Sequence, residues 1–180
     1  ENSAYVCSYH GLHASGRLYD FGTALLAQKP FRDSFTHSFK PSWPTTTKGF
    51  SFAALDWNPG GALSEPTVVN FVSVHLDFSR RSVRRSQVEE MVAALSQIEG
   101  PMVMMGDFNT DWEAKESSLK SLAEQLNLSA FKPLAEGLST YGKKGARLDW
   151  ILISDDLEFS DYSVLPEVMS DHYAVAAEIV

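Results

Sequence analysis

Two short acidic segments, Gly106-Asp107-Phe108-Asn109 and Ser170-Asp171-His172, each adjoin an apolar run that reads as a buried strand. Carboxylates and an imidazole at such places suit general acid–base chemistry. The first segment follows Met102-Val103-Met104-Met105, bounded by Gly100-Pro101 and Gly106, which is the pattern of a strand covered on both faces in a parallel or mixed sheet. Loops at strand ends let a rigid scaffold hold reactive groups without burying an unpaired charge. Asp107 and Asn109 are therefore read as presented side chains. The second segment precedes Tyr173–Val180, an apolar stretch consistent with a final strand, so Asp171 and His172 stand at its start.

Asp149 lies inside the apolar segment Arg147-Leu148-Asp149-Trp150-Ile151-Leu152-Ile153. Burial there without a partner would cost several kcal/mol or force protonation, so Asp149 needs a donor, and His172 is a candidate. A carboxylate behind an imidazole fixes its tautomer and raises its basicity. A further candidate, His75, falls near the end of Val68-Val69-Asn70-Phe71-Val72-Ser73-Val74-His75-Leu76. Each of these residues also has a structural reading. Asp107, Asn109 and Asp171 could cap turns through their own backbone, and His75 and His172 could be packed histidines. His10, His13 and His37 lie in polar or loop-like segments. Tyr141 and Trp112 fit either a cleft rim or ordinary packing.

The elements that must position these groups alternate between strands and helices. Val88, Met91, Val92 and Leu95 repeat at helical spacing, which predicts a helix from Ser82 to Gln97, with Ser86 and Glu89 placed as a capping box. Leu119, Leu122, Ala123 and Leu126 predict a second helix ending near Asn127. Gly49–Trp57 and Thr67–Leu76 read as strands of a hairpin joined through Asn58-Pro59-Gly60-Gly61. Phe31–Phe39 is a further strand candidate, and Lys40–Lys48, with its prolines and threonines, reads as an exposed loop. Pattern alone thus gives a mixed α/β domain.

From Tyr19 to Val180 the chain resembles the endonuclease/exonuclease/phosphatase superfamily of metal-dependent phosphoesterases. The matching motifs are Phe21-Gly22-Thr23-Ala24-Leu25-Leu26-Ala27 with Pro30, Val74-His75-Leu76, Gly106-Asp107-Phe108-Asn109-Thr110, Leu148-Asp149-Trp150-Ile151-Leu152 and Ser170-Asp171-His172, in the family's order. The resemblance implies a four-layer α/β/β/α sandwich of two mainly antiparallel sheets flanked by helices. It also implies hydrolysis of a phosphodiester or phosphomonoester by in-line attack of water, with Mg²⁺ or Mn²⁺ as cofactor. In that reading Asp107 orients or deprotonates the water, and Asn109 helps hold phosphate and water. Asp171 lies near the metal, His172 faces the scissile phosphate, Asp149 bonds that histidine, and His75 is a second phosphate-side imidazole. Family members begin with a strand bearing an asparagine and a strand ending in a metal-ligating glutamate; neither has a counterpart here, and Glu1 is not assigned that role. The expectation is one domain, residues 1–180, corresponding to the C-terminal two thirds of a family domain and lacking its N-terminal strands. An exposed sheet edge would follow. The alternative is a catalytically inactive phospholigand-binding module derived from the same family.

A chain of 180 residues, 44% hydrophobic, can bury a single sizeable core. No stretch approaches the roughly 20 apolar residues that span a bilayer, no signal-peptide pattern is visible, and the compartment is left open. One cysteine, Cys7, excludes an intramolecular disulfide and a multi-cysteine zinc site, and its expected role is that of a small, partly buried apolar residue. The net charge of −8 weighs against a non-specific grip on duplex nucleic acid. The basic cluster Arg80-Arg81-Ser82-Val83-Arg84-Arg85 is either a solvated helix start or a clamp for substrate phosphates, with Arg80 and Arg84 as candidates. Expected ligands are a phosphorylated small molecule, a lipid headgroup or a nucleic-acid end; no protein partner is implied.

Overall fold

The computed structural model describes residues 5–12, 18–57, 66–142 and 145–180. Along the chain run β1 (Tyr5–Leu12), β2 (Leu18–Ala27), β3 (Asp33–Ser38), β4 (Gly49–Trp57), β5 (Thr67–His75), α1 (Arg81–Leu95), β6 (Met102–Asp107), α2 (Ser118–Gln125), β7 (Leu128–Ala130), β8 (Asp149–Ser154), β9 (Phe159–Val164) and β10 (Val175–Ile179). His13 and the Asn58–Gly61 turn lie outside the described residues, as do the side chains of Cys7 and His10.

The apolar runs form the middle of a six-stranded sheet ordered β3-β4-β5-β6-β8-β7. Neighbours are antiparallel except β5 and β6, which run parallel and are joined through α1. Alternation along these strands separates two apolar layers. Phe50, Phe52, Val72, Val74, Met102, Met104, Trp150 and Leu152 pack against Val88, Met91 and Leu95 of α1 and Leu119, Leu122 and Ala123 of α2. Val69, Val103, Ile151 and Ile153 face the other way, against Tyr162, Val175, Ala177 and Ile179 of β9 and β10. On that same side Leu25 of β2 packs on Ala53, Phe71 and Met105. The second layer thus consists of two antiparallel ribbons, β1–β2 and β9–β10. The result is an α/β sandwich with helices outside a large, mainly antiparallel sheet. No helix among the described residues is long and apolar enough to cross a membrane.

One expectation needs correction. Helix α1 begins at Arg81, so Ser86 lies inside it and cannot open a capping box with Glu89. The chain before the helix is held instead by buried Asp77, whose Oδ1 accepts from the backbone N–H of Ser79 (2.9 Å) and Arg80 (2.8 Å). Gln87 from the second turn in turn accepts the Asp77 N–H at 2.8 Å. Helix α2 has the cap its sequence offers: Ser117 Oγ accepts from Lys120 N at 3.3 Å.

The backbones of β5 and β6 approach closely where the two strands end. Gly106 has φ of 147°, and a Cβ there would sit 1.9 Å from the Val74 carbonyl oxygen. Only glycine permits that spacing, and it brings the strand ends carrying His75 and Asp107 into register. Gly106→Ala is expected to lower unfolding free energy by about 3 kcal/mol or more, from backbone strain plus overpacking; an unchanged urea midpoint would refute it.

Candidate functional site

Three sequence-selected residues fall in one row across the sheet. The register pairs His75 of β5 with Asp107 of β6, and Asp107 with Asp149 of β8. All three continue the alternation of Phe71, Met105 and Ile151, so they extend the layer between the sheet and the ribbons beyond its apolar part. His172, in the segment leading into β10, completes the group, its Nδ1 lying 2.7 Å from Asp149 Oδ2. The donor demanded by Asp149 is therefore the one named from sequence.

Each group is held by a further shell of contacts. Asn109, at φ 50°, folds back on Asp107: its N–H donates to Oδ1 at 2.8 Å, and its Nδ2 donates to Oδ2 at 3.1 Å and to the Leu76 carbonyl at 3.0 Å. The turn-forming habit of these residues and their presentation are thus one arrangement. Fully buried Thr140 was not legible as a site residue. Its Oγ1 accepts from the N–H groups of Leu148 and Asp149, both at 3.0 Å, while its carbonyl accepts from Tyr173 N at 2.8 Å. Thr140 thereby ties the strand carrying Asp149 to the segment carrying His172. Ser170 Oγ accepts the His172 N–H at 2.9 Å, and the Tyr141 ring lies 4.9 Å from the His172 ring.

A cavity of about 520 Å³ is lined by Lys48, His75, Asp107, Asn109, Asp171 and His172, with Phe78 and Tyr141 among its walls. Arg80 and Arg84 do not line it. Arg80 donates to the carbonyls of Ser42 and Trp43 and to Thr45 Oγ1, and Arg84 Nη1 donates to the Asp77 carbonyl at 2.9 Å. With Asp77, which accepts from Thr45 Oγ1 at 2.8 Å, they brace the loop before β4. Trp112 packs against Trp150 at 5.9 Å and His37 against Phe50 at 5.1 Å, both away from the cavity. Lys48 is the group that sequence reasoning passed over. It ends a loop rich in proline and threonine, and only the antiparallel pairing of β4 with β5 carries it to His75, where its Nζ lies 3.0 Å from Nε2.

Burial and charge set the protonation of the group. Burial, then the nearby Asp149 carboxylate, raises Asp107 to about 6, against the opposing N–H of Asn109. His75 falls to about 3, mainly by burial and then by the Lys48 charge, and so stays neutral. Burial lowers Lys48 to about 8, while Asp107 and Asp77 favour its charged form. Partial burial opposes the charge on His172, but the hydrogen bond and charge of Asp149, with Asp107 and Asp171, hold its pKa above the ordinary value.

Among the described residues, Asp107, Asp149 and His172 bring ligand atoms within 4.8 Å of one another. Converging carboxylates, of which Asp107 is raised by burial and then by the charge of Asp149, are a donor set that a cation would relieve. Asp171 stands at the exposed edge of the same cavity, outside that closest group.

The charged form of Asp107 is disfavoured by the fold, so stability is expected to fall as pH rises from 3.8 toward 6. Asp107→Asn, without divalent cation and above that range, should stabilise the chain by about 2 kcal/mol; a lower thermal midpoint would contradict this. The Asp149–His172 pair acts in the same direction over a higher pH range. Its stabilisation is complete below the ordinary histidine value of 6.5 and fades as pH rises through the higher folded one. Asp149→Asn should bring the His172 pKa down, and an NMR titration unmoved by it would show that Asp149 does not set it.

Known proteins share this fold. The family model described as Endonuclease/Exonuclease/phosphatase family matches residues 2–172. No curated protein sequence matches the chain. An endonuclease/exonuclease/phosphatase from Bacteroides vulgatus superposes with a TM-score of 0.76 at 16% identity, over 98% of this chain and 76% of that one. A mannosyl-6-phosphatase of Bacteroides thetaiotaomicron gives 0.68 at 17% identity, over 96% and 77%. The human Nocturnin catalytic domain with bound sulfate gives 0.66 at 16%, over 87% and 63%.

Proposed function

The chain belongs to the endonuclease/exonuclease/phosphatase family, and from that premise we propose that it hydrolyses a phosphate ester by in-line attack of water in the cavity between β5, β6, β8 and the start of β10. The observation that carries this reading is the register row His75, Asp107, Asp149 with His172 bonded to Asp149 at 2.7 Å.

The roles follow from the contacts. Asp107, with a pKa near 6, is a carboxylate at neutral pH yet retains enough basicity to accept a proton from an attacking water. Asn109 holds both its oxygens in place. His172 gives its Nδ1 proton to the Asp149 hydrogen bond, which leaves Nε2 as the atom to donate toward charge developing on the phosphoryl group. Asp149 is a positioning residue for that imidazole. When bound among the carboxylates of Asp107, Asp149 and Asp171, a divalent cation, Mg²⁺ or Mn²⁺, supplies polarisation of the phosphoryl oxygen and neutralisation of the leaving alkoxide.

A phosphorylated small molecule, a lipid headgroup or a nucleic-acid end is the proposed substrate class. The similarity to a mannosyl-6-phosphatase supports the first of these, and the net charge of −8 is at odds with a long duplex.

Hydrolysis of p-nitrophenyl phosphate and its diester, with Mg²⁺, Mn²⁺ or chelator, tests the reading. Metal-dependent turnover is expected, falling on the order of 10²–10⁴-fold in His172→Ala or Asp107→Ala. Binding of inorganic phosphate by folded protein without turnover of sugar phosphates, phospholipid headgroups or oligonucleotides would replace it with a phospholigand-binding module.

A further inference from the structure

Outside the catalytic cavity, a groove of about 690 Å³ runs between the starts of α1 and α2, and no residue lines both. Arg80, Arg81 and Ser82 open α1 along one wall, and Ser117 and Ser118 open α2 along the other. The first turn of a helix leaves backbone N–H groups without intrahelical partners and carries the positive end of the helix dipole. Two such ends meet here, and neither helix has an acid in its first turn to offset them. Arg80, the N-cap of α1, makes no side-chain cap bond. At α2 the cap Ser117 accepts from Lys120 N and leaves the N–H groups of Ser118 and Leu119 to other acceptors. Two side chains facing the groove have no partner among the described residues. Ser118 is only 6% exposed, yet its hydroxyl makes no hydrogen bond. A hydroxyl at so buried a position ordinarily has one. Arg85, one turn into α1, is exposed on the opposite wall, and its guanidinium is in no ion pair.

We propose that this groove is a second anion site, which takes the phosphate group of a small phosphorylated molecule through Arg85, the Ser118 hydroxyl and the first N–H groups of α1 and α2. Such donors match a tetrahedral oxyanion: N–H groups at a helix start point at the ligand, and a guanidinium fork meets two of its oxygens. Arg80 is not among them, because its guanidinium is spent on the carbonyls of Ser42 and Trp43, on Thr45 Oγ1 and on the Asp77 carboxylate. Ser121 Oγ already accepts from Gln125 Nε2 at 3.1 Å. Arg81 is held by the Lys115 carbonyl at 3.2 Å and by Glu116 Oε2 at 3.5 Å. The Glu116 carboxylate is thus the groove's resident anion. Both partners of that ion pair are more than half exposed, which makes it a weak one that an arriving phosphate displaces. Glu113 and Glu124 stand with Glu116 around the far side of the start of α2. A long polyanion laid across that helix end would meet their repulsion, whereas a compact phosphate monoester avoids it. The site shares no donor with the catalytic row, so it stands or falls apart from hydrolysis.

The test is a titration of the full chain with inorganic phosphate, then with glucose 6-phosphate, in chelator at constant ionic strength, followed by backbone amide NMR. It compares the wild type with Arg85→Gln, Ser118→Ala and Glu116→Gln. In the wild type the amides of Ser82, Ser118 and Leu119 should shift and saturate together, on a curve separate from any followed by Asn109 and His172 in the catalytic cavity. Arg85→Gln, at an exposed position that leaves the fold intact, should weaken that curve about tenfold to a hundredfold, the loss of a charged hydrogen bond. Ser118→Ala should weaken it about threefold to tenfold, and Glu116→Gln should tighten it about twofold to fivefold by removing the competing carboxylate. The sugar phosphate should bind at least as tightly as phosphate itself. Groove amides that stay still while those of Asn109 and His172 move, or that move equally with chloride, would overturn the assignment. So would a curve that Arg85→Gln and Glu116→Gln both leave unchanged. Saturation by a single-stranded oligonucleotide at far lower concentration than by either phosphate would replace the small molecule with nucleic acid.

Discussion

Two carboxylates on neighbouring strands, brought with His172 to within 4.8 Å of one another, set the problem that the rest of the molecule answers. Like charges that close, in a partly dry cavity, repel strongly. Every polar neighbour acts to make the arrangement tolerable. Asn109 donates twice to Asp107, His172 donates to Asp149, and the Lys48 ammonium approaches from the β4 side. Thr140 and the Gly106 approach then hold the strands so that the repulsion is not relieved by drifting apart. The energy held in this cluster is what makes it responsive to a cation or to a substrate proton.

Much of this was legible because burial makes strong demands on a few residue types. A lone aspartate in the run around Trp150 could not be left unpartnered, and that necessity called for a donor, for which His172 was a candidate. The strands β4, β5, β6 and β8 declared themselves by predominantly apolar runs of the length a covered strand needs. The elements that escaped notice lacked such runs. Strand β9, Phe-Ser-Asp-Tyr-Ser-Val, mixes polar residues through its length, and β7 is only three residues long. Strand β1 pairs at the outer ribbon, where its residues need not be continuously apolar.

The basic residues illustrate a second limit. Arg80 and Arg84 stand beside His75 in the sequence, and proximity along the chain suggested a shared purpose. Direction decided otherwise: at the turn into α1 their guanidinium groups point to the carbonyls of Ser42, Trp43 and Asp77. Lys48 is far from every motif in sequence and reaches His75 only because an antiparallel hairpin folds the start of β4 onto the end of β5. Pairing register is a long-range property, so no local pattern could have announced that contact.

The row formed by His75, Asp107 and Asp149 has a consequence for anyone wishing to move this chemistry into another protein. Side chains alternate between the faces of a strand, so sliding any one of these strands by a single residue would send its functional group to the helix-covered face, among Val74, Trp150 and their neighbours. Transplanting the residues would accomplish little. The transferable unit is an alignment of strand ends, with a residue lacking a side chain where the two parallel strands touch, and a recipient sheet without that alignment would hold the right amino acids on the wrong sides.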